Sequence, residues 1–97
     1  MPVIITYDLK KHGRDYRSLH ERLKTIGAQW AQRSVWIYHG PLAPTQIRDT
    51  LAMTMDANDD LLVAELGSRW ATFNSWAASR WLSMSAGFAR LMSRLIR

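Results

Sequence analysis

The order in which strand-like and helix-like segments follow one another is the strongest constraint on how this chain can fold. Residues 2–8 contain a run of β-branched side chains with little polar alternation, which predicts a central strand covered on both faces. From Asp15 onward, apolar residues recur at spacings of three and four, which predicts a helix. Asp15 suits the N-cap of that helix and Gly27 its C-cap.

The next segments complete an alternating pattern. Residues 28–39 favour extended structure, and Arg33 with Ser34 offers a turn, so we expect a hairpin of two short strands or one kinked strand. Pro44 suits the first turn of a short second helix, and residues 61–66 predict a further strand. The order β, α, β, β, α, β is the split βαβ arrangement of an α+β, ferredoxin-like fold.

One face of the predicted sheet has no covering helix. In the split βαβ arrangement both helices pack on the same side of an antiparallel sheet, so the other side stays open. A chain of 97 residues is small enough that an uncovered apolar face usually packs against a second sheet. We therefore expect a homodimer.

Charge divides the chain at Gly67. Residues 1–67 contain eight Lys or Arg and eight Asp or Glu, whereas residues 68–97 contain five Arg and no acid, so the whole net charge of +5 belongs to the tail. We therefore divide the protein into a ferredoxin-like domain over residues 1–67 and a basic extension over residues 68–97.

The extension predicts an added C-terminal amphipathic helix. Apolar residues recur at helical spacing over residues 77–95, and arginines lie outside the centre of that stripe. Such a helix could pack on its own domain or a partner subunit, lie on an anionic membrane surface, or contact nucleic-acid phosphates. The candidate phosphate contacts are Arg90, Arg94 and Arg97.

Several classes of site and location are disfavoured. With no cysteine, the chain has no disulfides, thiolate metal ligands or cysteine nucleophiles. The three histidines lack metal-ligand spacing, so we expect structural roles for His12, His20 and His39. The first apolar run is too short for a signal peptide, and no stretch is long enough to span a membrane, so we expect a cytoplasmic protein.

Asp8 is the first candidate for chemistry, because the predicted strand delivers its carboxylate to a rigid end beside Lys10, Lys11 and Arg14. The carboxylate could instead form an Asx turn, and the cations could belong to an ordinary solvated loop. The acidic residues near Asp59 lack the glycine and glutamate of an EF-hand, so we expect a turn there.

Three short motifs resemble those of the CRISPR-associated Cas2 proteins and their relatives, which include VapD-like ribonucleases. Tyr7, Asp8 and Leu9 close the first strand, Gln-Arg-Ser-Val-Trp at residues 32–36 stands in place of the family's Gln-x-Ser-Val-Phe, and an acidic turn precedes residues 61–66. The motifs occur in the family's order, and the resemblance covers about residues 2–66.

The resemblance implies a ferredoxin-like homodimer that binds RNA or DNA. The family's catalytic Asp corresponds to Asp8, and two-fold symmetry would bring both copies to one cleft that could hold Mg²⁺. Lys10, Lys11 and Arg14 would then neutralise phosphates. The hydroxyl of Ser34 could bind phosphate, although a hairpin serine without a role is an equal alternative.

Two functions follow from these observations. The first is a Mg²⁺-dependent endonuclease, either an endoribonuclease or a DNase, with Asp8 as metal ligand from each subunit. The second is a non-catalytic dimer that binds nucleic acid or acts as a scaffold. Trp30 and Trp36 could stack on bases, although aromatic residues on strands more often fill a core or a dimer interface.

Overall fold

Seven elements follow one another in the computed structural model, which describes residues 1–11 and 13–84. They are β1 (Val3–Asp8), α1 (Arg17–Ile26), β2 (Gln29–Gln32), β3 (Val35–Tyr38), α2 (Pro44–Ala52), β4 (Asp60–Glu65) and α3 (Trp76–Ser83). The predicted order of elements over residues 2–66 is confirmed, and residues 28–39 form a hairpin rather than one kinked strand.

The four strands form one antiparallel sheet in the order β2-β3-β1-β4. β1 is central, as its apolar run predicts, and Ile5 lies opposite Trp36 of β3 on one side and Val63 of β4 on the other. Side chains alternate between the two faces of a strand, so this register decides which residues of β1 face α1 and α2.

The main core lies between the sheet and the helices α1 and α2. Alternate residues of β1 face the helices and are buried against apolar residues of α1 and α2. The hydroxyl of Tyr7 accepts a hydrogen bond of 3.0 Å from Nε1 of Trp36, which satisfies a buried indole N–H. The buried residues of this core are Val3, Ile5, Tyr7, Leu19, Leu23, Ala28, Trp36, Tyr38, Ile47 and Leu51.

Local signals set the ends of α1 and α2. Gly27 ends α1 in the left-handed region with φ of 92°, as expected of a C-cap glycine. The N-cap of α1 is Tyr16 rather than Asp15, but the carboxylate of Asp15 accepts the Arg17 N–H at 2.9 Å. Pro44 begins α2, as predicted.

The expectation of an open second sheet face is wrong for the half formed by β2 and β3, because α3 packs there. Ala78 and Trp81 of α3 are buried against Ala31 and Ile37 of the sheet. The ring of His39 also forms a 2.8 Å hydrogen bond between Nε2 and the carbonyl of Trp81. On the β4 half of the same face, Leu62 is exposed.

Only the first part of the helix predicted from the apolar stripe over residues 77–95 falls within the described residues. α3 ends at Ser83, and Met84 has an extended backbone with φ of −82° and ψ of 150°. The predicted contacts Arg90, Arg94 and Arg97 lie outside the described residues. No helix within the described part of the chain is long and apolar enough to cross a membrane.

Two tryptophans of α3 provide a matched test of how this helix docks. Trp81→Ala should lower the free energy of unfolding by about 3 kcal/mol, because it removes a large buried side chain from the sheet face. Trp76→Ala should change it by less than about 0.5 kcal/mol, because Trp76 is exposed. Urea denaturation at neutral pH measures both values, and equal losses would contradict the docking of α3 through Trp81.

Candidate functional site

Two carboxylates face each other where β1 ends and β4 begins. The antiparallel register places Asp8 directly opposite Asp60. Both side chains are largely exposed, at 71% for Asp8 and 70% for Asp60. Two like charges at directly opposed strand positions repel each other, so this pair favours a cation between its members.

Lys10 supplies that cation in the described structure. Its Nζ lies 2.9 Å from Oδ2 of Asp60 and 3.7 Å from Oδ2 of Asp8. The hydrogen bond to Asp60, and then the negative charges of Asp60 and Asp8, raise the pKa of Lys10. Among the described residues Lys10 is the only partner of the Asp8 carboxylate, so Asp8 does not form the Asx turn that was its structural alternative.

Asp59 ties the loop after β1 to the acidic turn before β4. Its carboxylate accepts the backbone N–H of Lys10 at 2.8 Å, the N–H of Asp56 at 2.8 Å and the hydroxyl of Tyr16 at 2.8 Å. Partial burial of the carboxylate opposes ionisation, but these hydrogen bonds hold the pKa of Asp59 below its usual value. The turn predicted here is therefore a structural clamp that positions Lys10.

Lys11 and Arg14, the other predicted phosphate contacts of the loop after β1, also face this turn. Nζ of Lys11 lies 3.7 Å from Oδ1 of Asp56, and Nη1 of Arg14 lies 3.3 Å from the same oxygen. Arg14 additionally donates to the carbonyl of Thr54 at 3.4 Å. In this arrangement the local carboxylates offset the positive charge of the loop.

Ser34 lies at the same end of the sheet as Asp8. It occupies the turn between β2 and β3 with φ of 59°, a left-handed conformation that is uncommon for residues other than glycine. Its carbonyl accepts the Tyr7 N–H at 3.2 Å, which extends the pairing of β1 with β3 to the residue before Asp8. The structure therefore brings Asp8, Lys10 and Ser34 to one end of the sheet.

A shallow groove of about 210 Å³ runs along this end. It is lined by Thr6, Tyr7, Asp8, Asp60, Leu61 and Leu62. The described residues contain no group of three or more His, Cys, Asp or Glu side chains that could hold a metal ion. Two adjacent carboxylates nevertheless fit Mg²⁺, which is commonly held by one or two carboxylates together with waters and substrate phosphates.

Asp60 is the residue that sequence reasoning missed as a site residue. The sequence alone places Asp60 only within the acidic turn before β4, because its position opposite Asp8 depends on the pairing of strands that are distant in the sequence. Two features of the sequence could have located the pair: a carboxylate at the end of the first predicted strand and another at the start of the last. Antiparallel neighbours bring those two strand ends together.

The histidines that the structure describes have structural environments. The ring of His20 stacks on Trp36 with 6.3 Å between ring centroids, and His39 is buried against α3. His12 lies outside the described residues.

The chain was also compared with models of known protein families. The model described as CRISPR associated protein Cas2 matches residues 1–72. The match includes all of β1 to β4 and therefore Asp8, Lys10, Ser34 and Asp60.

The hydrogen bonds of the Asp59 carboxylate should contribute to stability in a pH-dependent way. Asp59→Asn should lower the free energy of unfolding at pH 7 by about 1–3 kcal/mol, because an amide replaces a carboxylate that accepts several hydrogen bonds. The lowered pKa of Asp59 means that its contribution is present above about pH 4, the ordinary value for Asp, and is lost as the pH falls through the folded-state pKa.

Urea denaturation at pH 7 and at about pH 3 measures this contribution. The difference in free energy of unfolding between wild type and Asp59→Asn should be smaller at the lower pH. Asp49→Asn is the control, since Asp49 is exposed on α2 and pairs only with its neighbour Arg48 among the described residues. A gap that stays constant with pH would show that Asp59 does not act through its charge.

Proposed function

This chain belongs to the CRISPR-associated Cas2 family, and from that membership we propose that it is a nucleic-acid-interacting protein with metal-dependent endonuclease activity at Asp8. The single observation that carries the catalytic part is the exposed pair Asp8 and Asp60, held opposite each other by two paired strands. Rigid strands fix the separation of the two carboxylates, as a metal site requires.

Asp8 and Asp60 are the residues that would hold Mg²⁺. A bound Mg²⁺ ion would act there as a Lewis acid on a phosphate group of the substrate. Lys10, which now bridges both carboxylates, would exchange those contacts for a phosphate oxygen when nucleic acid and metal arrive. The turn that carries Ser34 would place a hydroxyl beside the same phosphate.

We further propose that the active form is a homodimer. Each chain supplies two carboxylates, Asp8 and Asp60. A two-fold axis near the end of β1 would place both pairs on one cleft between the subunits. The β4 half of the sheet supports this arrangement, because Leu62 is 59% exposed on the face that α3 leaves uncovered. Burial of that face would bring the ends of β1 and β4 close to their copies.

A specific observation also favours the second candidate, a non-catalytic dimer that binds nucleic acid or acts as a scaffold. Lys10 already neutralises the Asp8 and Asp60 pair, and Asp56 lies within ion-pair distance of both Lys11 and Arg14. A site whose charges are satisfied internally is suited to holding a loop in place. In that case nucleic acid would bind elsewhere on the protein.

Cleavage assays on RNA and on duplex DNA, with Mg²⁺ or with chelator, separate the two functions. Asp8→Asn should reduce Mg²⁺-dependent cleavage roughly 10²-fold or more, because the metal supplies several kcal/mol of charge stabilisation. Asp60→Asn should reduce it as well, whereas the exposed Asp49→Asn on α2 should leave it unchanged. Unfolding measurements on each variant check that the fold is retained.

Cleavage that survives Asp8→Asn, or that persists in chelator, would remove Asp8 from the mechanism. Binding that weakens steeply with salt, without cleavage by the wild type under either condition, would establish the non-catalytic function instead.

A further inference from the structure

A second surface of the protein, at the β2 edge of the sheet, carries exposed aromatic side chains. Trp30 of β2 is 55% exposed, Phe73 is 88% exposed and Trp76 of α3 is 74% exposed. All three line one cavity of about 260 Å³, which we call the aromatic cavity. β2 and β4 are opposite edges of the sheet, so this cavity and Asp60 lie at different sheet edges.

Hydrogen bonds hold the aromatic cavity in shape. The hydroxyl of Ser75 donates to Oε1 of Gln32 at 2.6 Å, which ties the segment before α3 to β2. The hydroxyls of Thr72 and Ser79 lie 2.6 Å apart and link the same segment to the body of α3. Between them, Asn74 has φ of 54°, a left-handed conformation that turns the chain at the rim of the cavity.

The two segments that supply the walls of the aromatic cavity carry charge of one sign. Residues 27–40 and 66–84, which supply its walls and their neighbours, contain Arg33, Arg69 and Arg80 and no Asp or Glu. Arg80 is four residues after Trp76 in α3, so the two exposed side chains share a face of the helix. Beside the β1–β4 groove, by contrast, carboxylates offset the loop cations.

Exposed aromatic faces on segments that carry arginines and no carboxylates are complementary to a polyanion that presents flat rings. Single-stranded nucleic acid is such a ligand, because each unpaired base can stack on an aromatic side chain while arginines contact phosphates. A duplex hides its base faces, so it offers this surface only phosphates. The volume is below the range typical of pockets for drug-sized ligands and suits a shallow contact with a base.

We infer that the aromatic cavity is a binding site for unpaired bases of single-stranded nucleic acid, with Trp30, Phe73 and Trp76 as stacking surfaces and Arg80 as a phosphate contact. The inference deepens the proposed nucleic-acid interaction, on which it rests. It does not depend on metal binding or cleavage at Asp8. Its bound strand would approach the β2 edge of the sheet.

Fluorescence anisotropy tests the inference with labelled oligothymidine, oligouridine and a duplex of equal length, all in chelator. The double variant Trp30→Ala, Trp76→Ala should bind the single strands roughly tenfold or more weakly, because each lost stacking contact removes a favourable contribution to the binding free energy. Its duplex affinity should stay within about twofold of wild type. The double variant Trp30→Phe, Trp76→Phe should keep most of the single-strand affinity, because phenylalanine can also stack.

Two further variants sharpen the experiment. Arg80→Gln should reduce the slope of log affinity against log salt by about 0.7, the change expected for one lost phosphate contact on a single strand. Met53→Ala is the control, because Met53 is 79% exposed at the end of α2 and does not line the aromatic cavity.

Equal single-strand affinity of wild type and the Trp→Ala double variant would overturn the inference, as would wild-type binding to duplex alone. Absence of binding to every oligonucleotide would overturn the proposed nucleic-acid interaction together with it. Sedimentation measurements add a last outcome. If the double variant changes the oligomeric state and leaves single-strand affinity unchanged, the aromatic cavity contacts another protein chain and the inference is wrong.

Discussion

The antiparallel pairing of β1 with both β3 and β4 is the constraint on which the rest of the structure depends. It places Val3, Ile5 and Tyr7 on the face covered by α1 and α2, and it places Asp8 opposite Asp60. Because side chains alternate along a strand, a shift of one residue would turn the apolar set away from the helices and separate the carboxylates. The same register therefore builds both the core and the candidate site.

Sequence reasoning succeeded where the signal is local and failed where it is not. Gly27 and Pro44 mark helix ends through their own backbone preferences, so the boundaries near them could be predicted. The position of Asp60 opposite Asp8 depends on a strand pairing across about fifty residues, which no local pattern reveals. The docking of α3 was open for the same reason, since a basic amphipathic stripe is compatible with several partners.

Electrostatic contacts explain why the loop after β1 differs from the basic surface that its sequence suggests. Asp56, Asp59 and Asp60 accept or pair with groups of that loop, and Lys10 spans Asp60 and Asp8. Exposed ion pairs of this kind contribute little stability individually, but several of them joined to a partly buried Asp59 fix the loop in one arrangement. Residues 27–40 and 66–84, by contrast, contain arginines and no Asp or Glu.

Helical geometry connects the covered sheet face to the aromatic cavity. Ala78 and Trp81 are three residues apart and pack against the sheet, so the opposite side of α3 must face solvent. Trp76 and Arg80, four residues apart, lie on that exposed side. α3 thus covers half of the apolar face with Trp81 and leaves Trp76 exposed, while the guanidinium of Arg80 lies 5.7 Å from the centroid of the Trp81 ring. Residues 73–77, which supply one wall of the aromatic cavity, lie beyond the residues that match the family model, whereas Trp30 on the other wall belongs to the matched domain.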